Sequence, residues 1–325
     1  MIGLIDQGKI HKETRSRSFH KRREALTQLS NNFSALPDKK QAWEDIIRLA
    51  KDKDRNVWLG AAGSLSAAFP HIPDKEQAGD DLHRFTGDKN KFIRGIGAGA
   101  LGAVFSYFPD KEQSWNDLHQ LTQDEDENIR GIAAGSLGAA FPHIPDKQQA
   151  WEDLIRLAGE KDTDTRVSAN YYLGKASIVK ATEAKGEHNF QEELENAIHF
   201  FEISSNEAVH FNPAQFCYPF YRSFYTIIFK KQEAKKAVQN YLTEAKKALE
   251  GSEKKEKLIQ VVEKLANALK DVKNGDDLNR IEQVLDTCRK QVEEAVDLIK
   301  TIKEVAPGAT MILEKGLPFI CRKIG

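Results

Sequence analysis

Cysteine is scarce in this chain: Cys217, Cys288 and Cys321 are its three thiols in 325 residues. They lie far apart, with no Cys-x-x-Cys spacing, which excludes a disulfide framework and a thiolate zinc site. The thiols are expected to be free, as in a reducing compartment such as the cytoplasm. None of the nine histidines is followed by Glu, so the zinc-protease helix motif is missing too. Charge of one sign is also lacking, because 48 basic residues face 49 acidic ones. That balance argues against nucleic acid or an anionic membrane as a partner of the whole surface. Long apolar runs are absent. The longest uncharged stretch, Asn56–Pro73, contains Asn, Ser, His and two Pro and does not read as a membrane span. Met1–Ile5 is too short for a secretory core and Asp6 interrupts it, so no leader is expected.

What the chain has is a period. Pro-Asp-Lys stands at 37–39, 73–75, 109–111 and 145–147, each time 36 residues on. Blocks 37–72, 73–108, 109–144 and 145–180 align without gaps, with Trp43, Trp115 and Trp151 in one column and Phe69, Phe105 and Phe141 in another. An ungapped period of this length marks a stack of helical hairpins. Each block reads as helix A, a polar turn, helix B and a Pro-containing turn. Pro37, Pro73, Pro109 and Pro145 are expected at the first helical position of helix A, where a missing N–H costs nothing. The polar turns are Lys51–Arg55, Gly87–Lys91, Gln123–Glu127 and Gly159–Thr163, and helix B then runs to the Phe column.

Asp-Glu-Asp-Glu-Asn-Ile-Arg-Gly-Ile-Ala-Ala-Gly-Ser-Leu-Gly at 124–138 resembles the HEAT-like repeat first named from bilin lyases. It is similar as well to 36-residue repeat arrays of archaeal proteins. The family pattern places an acid in the turn and an Arg early in helix B. Asp88/Arg94, Asp124/Arg130 and Glu160/Arg166 match it, whereas the first block has Asp52 but Trp58 in place of the Arg. The resemblance covers roughly residues 15–180 and implies an α-solenoid. For activity it implies little, since such repeats occur in scaffolds, chaperone-like lyases and enzymes. The His-Glu pairs of HEAT-type di-iron hydroxylases do not occur here.

Residues 1–36 fit the register as a degenerate cap, with Ala25, Leu29 and Phe33 in the columns of Ala61, Leu65 and Phe69. Lys21, Arg22 and Arg23 read as the polar outer face of a terminal repeat. Gly63, Gly99 and Gly135 share one column, and Ser66, Gly102, Gly138 and Gly174 another. Both are expected to let helices approach closely, and Gly135→Leu to disrupt stacking. Gly97–Gly102 satisfies G-x-G-x-x-G, but within helix B, where no strand precedes it and no helix begins, so it reads as packing. His83 and His119 share a column, as do His71 and His143, and repetition accounts for both pairs. The acids Asp124–Glu127 lack the Gly hinge of a calcium loop and suit the start of helix B. The Asp/Arg pairs are expected to form a ladder between repeats; the alternative is a basic ridge of Arg94, Arg130 and Arg166.

Beyond Lys180 the period is lost. Residues 189–203 and 213–229 read as a helical pair, with Asn212 as cap and Pro213 at the first position. Pro219 is expected to kink or restart the second helix. That helix carries Phe216, Tyr218, Phe220, Tyr221, Phe224, Tyr225 and Phe229, and reads as a bundle centre or as an exposed aromatic groove. Heptads follow over 252–305 as an antiparallel coiled-coil hairpin, and those of 278–302 could pair two copies.

The expected fold is all-α: a HEAT-like solenoid over 1–180, then a helical domain over 181–325. The expected function is a non-catalytic protein-binding or scaffolding module, without cofactor, metal or catalytic residues. Trp58, Arg94, Arg130, Arg166, Tyr218, Tyr221 and Tyr225 are its candidate contact residues. A bilin-lyase-like enzyme or cofactor-handling chaperone is the first alternative. A nucleic-acid binder using the basic segment of residues 9–23 is the second.

Overall fold

The computed structural model describes residues 5–207, 212–230 and 234–247, together with Glu263 and Ile312. The described residues form fourteen α-helices and no strand, so the class is all-α. Helices α1 (Gln7–Glu13) and α2 (Phe19–Asn32) make the cap, so that it too is a helix pair. The first repeat holds α3 (Lys39–Ala50) and a B helix broken into α4 (Arg55–Trp58) and α5 (Ala61–Ala68). The second holds α6 (Lys75–Thr86) and α7 (Lys91–Val104), and the third α8 (Glu112–Leu121) and α9 (Glu127–Ala140). The fourth holds α10 (Lys147–Ala158) and α11 (Thr163–Glu183). Three more helices follow: α12 (Glu187–Ser205), α13 (Ala214–Phe229) and α14 (Ala234–Lys247).

The chain divides into two compact units, Met1–Ala169 and Asn170–Gly325. The division falls inside α11, ahead of residue 180, where the period ends. In the first three repeats the B helix stops at the Phe column in a 3-10 turn: Phe69–His71, Phe105–Tyr107 and Phe141–His143. The fourth block has Ser177 in that column and no proline after it, and its helix runs on to Glu183.

Pro-Asp-Lys works differently from the expectation. In the first, second and fourth copies the aspartate is the N-cap, and the proline lies one residue before it; in the third the N-cap is Lys111, and Asp110 accepts from the Glu112 amide at 2.9 Å. Asp38 accepts from the Gln41 amide at 2.9 Å, Asp74 from Gln77 at 3.0 Å and Asp146 from Gln149 at 2.9 Å. An uncapped helix start leaves such amides unsatisfied, so the carboxylate decides where the helix begins. The proline holds the preceding residue extended, with ψ of 135° at Leu36, 132° at Ile72, 130° at Phe108 and 133° at Ile144. The lysine reaches back to the carbonyls that end the previous repeat. Lys75 Nζ donates to Phe69, Pro70 and Ile72, and Lys111 Nζ to Phe108 at 2.8 Å. One tripeptide thus closes one repeat and opens the next.

In the first unit the B helices of successive repeats carry much of the packing, above all α7 against α9. The Phe column is buried from the cap onward, at Phe33, Phe69, Phe105 and Phe141. Each such ring contributes about 1.5–3 kcal/mol by leaving water. Close approach occurs in one of the two expected Gly columns. A Cβ on Gly102 would stand 2.5 Å from the Ser136 Cβ, and one on Gly97 would stand 2.8 Å from the Phe85 Cβ and the Thr86 amide nitrogen. Gly63 meets nothing within 4 Å and Gly99 only the Ala62 Cβ at 3.8 Å, because that column turns toward the surface. Its members Gly63 and Gly99 do not set the helix spacing. The G-x-G-x-x-G residues lie inside α7, as packing residues.

In the second unit α12 packs on α13 and α13 on α14. The N-cap of α13 is Pro213, one residue later than expected; Asn212 Oδ1 accepts from the Ala214 amide at 3.0 Å while its Nδ2 donates to Ser204 O, tying the start of α13 to the end of α12. Pro219 lies within α13, which does not restart there. The aromatic helix is a bundle centre, with Phe216, Phe220, Tyr221, Phe224 and Tyr225 all buried. Tyr221 stacks on Phe201 with ring centroids 5.5 Å apart. The exposed-groove alternative is overturned, since a helix apolar on nearly every face is covered on nearly every face. The hairpin of 252–305 and its 278–302 heptads lie outside the described residues.

Candidate interaction surface

Two ladders join the repeats of the first unit. In the first, Arg22, Arg94 and Arg130 each grip the acid in the next repeat's turn. Arg22 Nε lies 2.6 Å from Asp52 Oδ2, Arg94 Nε 2.7 Å from Asp124 Oδ2, and Arg130 Nε 2.7 Å from Glu160 Oε1. The Nη1 of each donates to carbonyls of its own turn, and Arg166 Nη1 does the same toward Glu160 and Lys161. Burial pushes the Asp124 carboxyl up, but the Arg94 hydrogen bond and the Asp126 amide outweigh it, and its pKa lies below the usual value. Asp52 follows the same pattern with Arg22 and the Asp54 amide. The inter-repeat ladder is the arrangement adopted, and the basic ridge of Arg94, Arg130 and Arg166 is not. Arg22 is corrected as well: it is a buried rung rather than part of a solvated cap face.

The second ladder runs along the A helices. His11 Nδ1 lies 2.7 Å from Asp45, His83 Nδ1 2.7 Å from Asp117 and His119 Nδ1 2.5 Å from Asp153. Three residues after each His stands a Thr. Thr14 and Thr122 receive Arg48 and Arg156 of the following repeat, and Thr86 donates to Asp117 at 2.8 Å. The first repeat has Ile47 and Ala50 in these two columns.

Both ladders are therefore interrupted at one junction, between the repeats at 37–72 and 73–108. On the B side, Asp88 is met by Lys51 Nζ at 3.3 Å instead of by an arginine. Trp58 turns onto Phe92, with centroids 4.9 Å apart and planes at 31°. The helix breaks at Leu59–Gly60; Leu59 is 63% exposed, and Phe92 on α7 is 51% exposed. On the A side, Asp81 accepts from Trp43 Nε1 at 2.8 Å and pairs with Arg84 of its own helix. Beside it opens a groove of about 450 Å³ lined by Glu44, Ile47, Arg48, Lys51, Arg84 and Phe85. Lys51 joins the two sides, because it lines the groove and reaches the Asp88 turn.

Of the seven candidate contact residues, Trp58 belongs to this junction. Arg94, Arg130 and Arg166 are engaged as above. Tyr221 is wholly buried and has no surface to offer a partner. Tyr225 is buried, with its hydroxyl donating to Glu195 and accepting from Gln191 Nε2 at 2.9 Å. Tyr218 is half-buried and donates to Glu202 at 2.6 Å. In the second unit, Glu195, Glu202, Arg222, Tyr225, Lys230 and Tyr241 line a separate cavity of about 320 Å³. Leu59, Phe92, Lys51 and Arg84 were not singled out from the sequence. The signal for Phe92 was present: its column holds Asn56, Asn128 and Asp164 in the other repeats. Among the described residues, no group of three or more His, Cys, Asp or Glu could hold a metal, and no helix is long and apolar enough to cross a membrane.

Stacked helix pairs joined by periodic ladders define the first unit as an α-helical repeat solenoid. No family model matches the chain, and no curated protein does. Similar solved structures include the Mot1 N-terminal domain in complex with TBP. It is 18% identical, with 72% of this chain and 33% of that chain covered and a TM-score of 0.44. The Pds5–Scc1 complex is 13% identical, with 96% and 51% covered and a TM-score of 0.40. The chain thus spans a third to a half of the length of these proteins. Likenesses this distant carry no argument about function.

Proposed function

We propose that the chain is a non-catalytic protein-binding module whose contact surface is the turn edge of the junction between the repeats at 37–72 and 73–108. The observation that carries this reading is the half-buried Trp58 ring against the exposed Phe92, with the exposed Leu59 next along the chain, at the place where both ladders are interrupted. A solenoid gains by repeating its rungs, and an Arg in the Trp58 column would supply one here. Placing an aromatic ring there forgoes a rung and leaves apolar surface in water. Trp is also the residue most enriched among binding hot spots. Cytoplasm is the setting that suits the scattered thiols. The nucleic-acid alternative loses its Arg column to the ladder, and nothing observed favours the bilin-lyase-like one. Pairing of two copies through the 278–302 heptads stays an expectation from sequence.

The test is a photo-cross-linking amino acid placed at Leu59, and separately at Asn128, which is exposed on a regular repeat. In extract of the native cell, a discrete cross-linked protein is expected from the first position and not from the second. Equal labelling from both would discard this surface.

A further inference from the structure

We infer that the segment this edge takes is a short acidic peptide carrying an aromatic or branched apolar side chain; the inference rests on the surface reading above. Three observations converge. The first is charge. Lys51, Lys53, Arg55, Arg84, Lys89 and Lys91 are all exposed around the apolar cluster. The acids among them are already engaged. Asp52 holds Arg22, Asp54 caps the Asn56 amide, and Asp88 holds Lys51 and the Asn90 amide. Asp81 is taken by Trp43 and Arg84, and Lys91 is the one of these cations drawn to the next turn, by Asp126. These pairs neutralise Lys51, Arg84 and Lys91 along with the acids, so the charge left facing solvent is that of Lys53, Arg55 and Lys89, opposed by Asp54 and the exposed Glu44.

The second observation is apolar surface. Leu59 and Phe92 are more than half exposed, with the Trp58 ring beside them. A bound side chain that covers them adds hydrophobic burial to charge pairing. The third is extent. The next turn reverses sign: beyond the Asp124–Arg94 and Asp126–Lys91 pairs it presents the exposed Glu125 and Glu127, and the Glu125 side chain is 90% exposed. A polyanion running along the edge would meet those carboxylates within one repeat. The favourable stretch is two turns wide, about 20 Å, which an extended segment of about six residues spans. Nucleic acid is a poorer fit than a peptide whose acids flank one apolar anchor.

Fluorescence anisotropy with the full chain tests this. The probes are labelled peptides of roughly ten residues: Asp/Glu flanking a Leu-Phe pair, the same acids flanking Ser-Ser, and Gln/Asn flanking Leu-Phe. A single-stranded oligothymidylate of equal length is the fourth probe. The acidic Leu-Phe peptide is expected to bind at least about tenfold more tightly than each of the others, and to weaken as salt is raised. Trp58→Arg, and the pair Lys51→Glu with Arg84→Glu, are each expected to cost about tenfold. Lys161→Glu in the fourth turn should cost nothing, with circular dichroism melts confirming that every variant folds. Equal binding of the Gln/Asn peptide, or tighter binding of the oligothymidylate, overturns the acidic-peptide assignment. If no peptide binds while the Leu59 probe still captures a partner, the chemistry is wrong and the surface stands. If the acidic peptide binds but ignores Trp58→Arg and Lys51→Glu/Arg84→Glu, the surface itself is wrong.

Discussion

Arg94 grips Asp124 with two prongs, Nε to Oδ2 at 2.7 Å and Nη2 to Oδ1 at 2.8 Å, and so bolts one repeat to the next. Its third nitrogen donates to the carbonyl of Asp88, which fixes the turn in which its own repeat begins helix B. The side chains are 12% and 8% exposed, so removing one partner strands a charge that water reaches poorly. Arg94→Ala is expected to destabilise the protein by about 3 kcal/mol. Arg130→Ala should cost less, because the pair with Glu160 is 20% exposed on both sides. Urea denaturation of the two variants checks this. A loss below about 1 kcal/mol for Arg94→Ala would make the rung an ornament of the surface.

The same rungs set the behaviour in acid. Asp52 and Asp124 have folded pKa values below the ordinary carboxylate value. Asp126 is drawn down to about 2 by Lys91 and by the Asn128 side chain and amide, against a smaller opposing push from burial. A group depressed on folding stabilises the protein above its unfolded pKa, near 3.9, and loses that contribution as pH falls through the folded value. Stability attributable to these carboxylates should therefore be level from neutral pH to about pH 5 and fall toward about pH 2. In Arg94→Ala that decline should be shallower, because Asp124 then titrates nearer its ordinary value. Denaturation midpoints across this range decide it, and parallel curves for the two proteins would remove Asp124 from the account.

Trp58→Arg separates stability from binding. The variant places a guanidinium where the register asks for one, within reach of Asp88 and the carbonyls of its own turn. A gain of about 1 kcal/mol is expected, together with loss of partner capture at the Leu59 probe. Stability and function moving in opposite directions is the signature of a residue kept for its surface. A lower melting temperature would mean that the junction cannot accept the rung, and that the break at Leu59–Gly60 has another cause.

How much of this could be read in advance follows from where each signal sits. The stack was legible because Pro-Asp-Lys returns without a gap, and the Arg ladder because its acid and base share fixed columns. The aspartate's role as cap was missed because proline also suits a helix start, and the choice depends on whether a carboxylate can reach the Gln41 amide. The His–Asp ladder was missed for a different reason. His83 has its partner, Asp117, in the following block, and a search for ligand spacing within one helix never compares them. Tyr218, Tyr221 and Tyr225 drew attention as aromatics, but periodicity alone cannot tell a face that meets a partner from one that meets α12. Trp58 stood out by breaking its column. Phe92 breaks its own column equally and was passed over because an apolar residue in a helix looks ordinary.

The glycines of helix B provide a paired test. At Gly102 a methyl group would enter the Ser136 backbone and side chain, with the Cα only 2.6 Å away. The backbone cannot yield there without parting α7 from α9, so Gly102→Ala is expected to destabilise by about 1–3 kcal/mol. At Gly63 a methyl group meets nothing within 4 Å, and helix propensity alone should act. Gly63→Ala is expected to stabilise by about 0.4–1 kcal/mol. Thermal melts of the two variants read the contrast directly. Shifts of the same sign would contradict the assignment of close approach to the Gly102 column.

Two phenols of the second unit extend the argument to alkaline pH. Burial, and then hydrogen bonds to Glu202 and Glu195, push Tyr218 and Tyr225 up to about 12. A phenol raised on folding stabilises the protein below its unfolded pKa, near 10, and that contribution is lost as pH climbs toward the folded value. Ultraviolet titration should show these two side chains ionising late. Tyr218→Phe combined with Tyr225→Phe should remove two phenols from the late step, leaving the wholly buried Tyr221, and flatten the loss of stability between about pH 10 and about pH 12. At neutral pH the double variant should be weaker by about 0.5–1.5 kcal/mol, because Glu202 and the exposed Glu195 each exchange a phenol donor for water. A late step undiminished by the double substitution would assign it to other tyrosines, and with it the packing of α12 against α13 would lose its polar clasp.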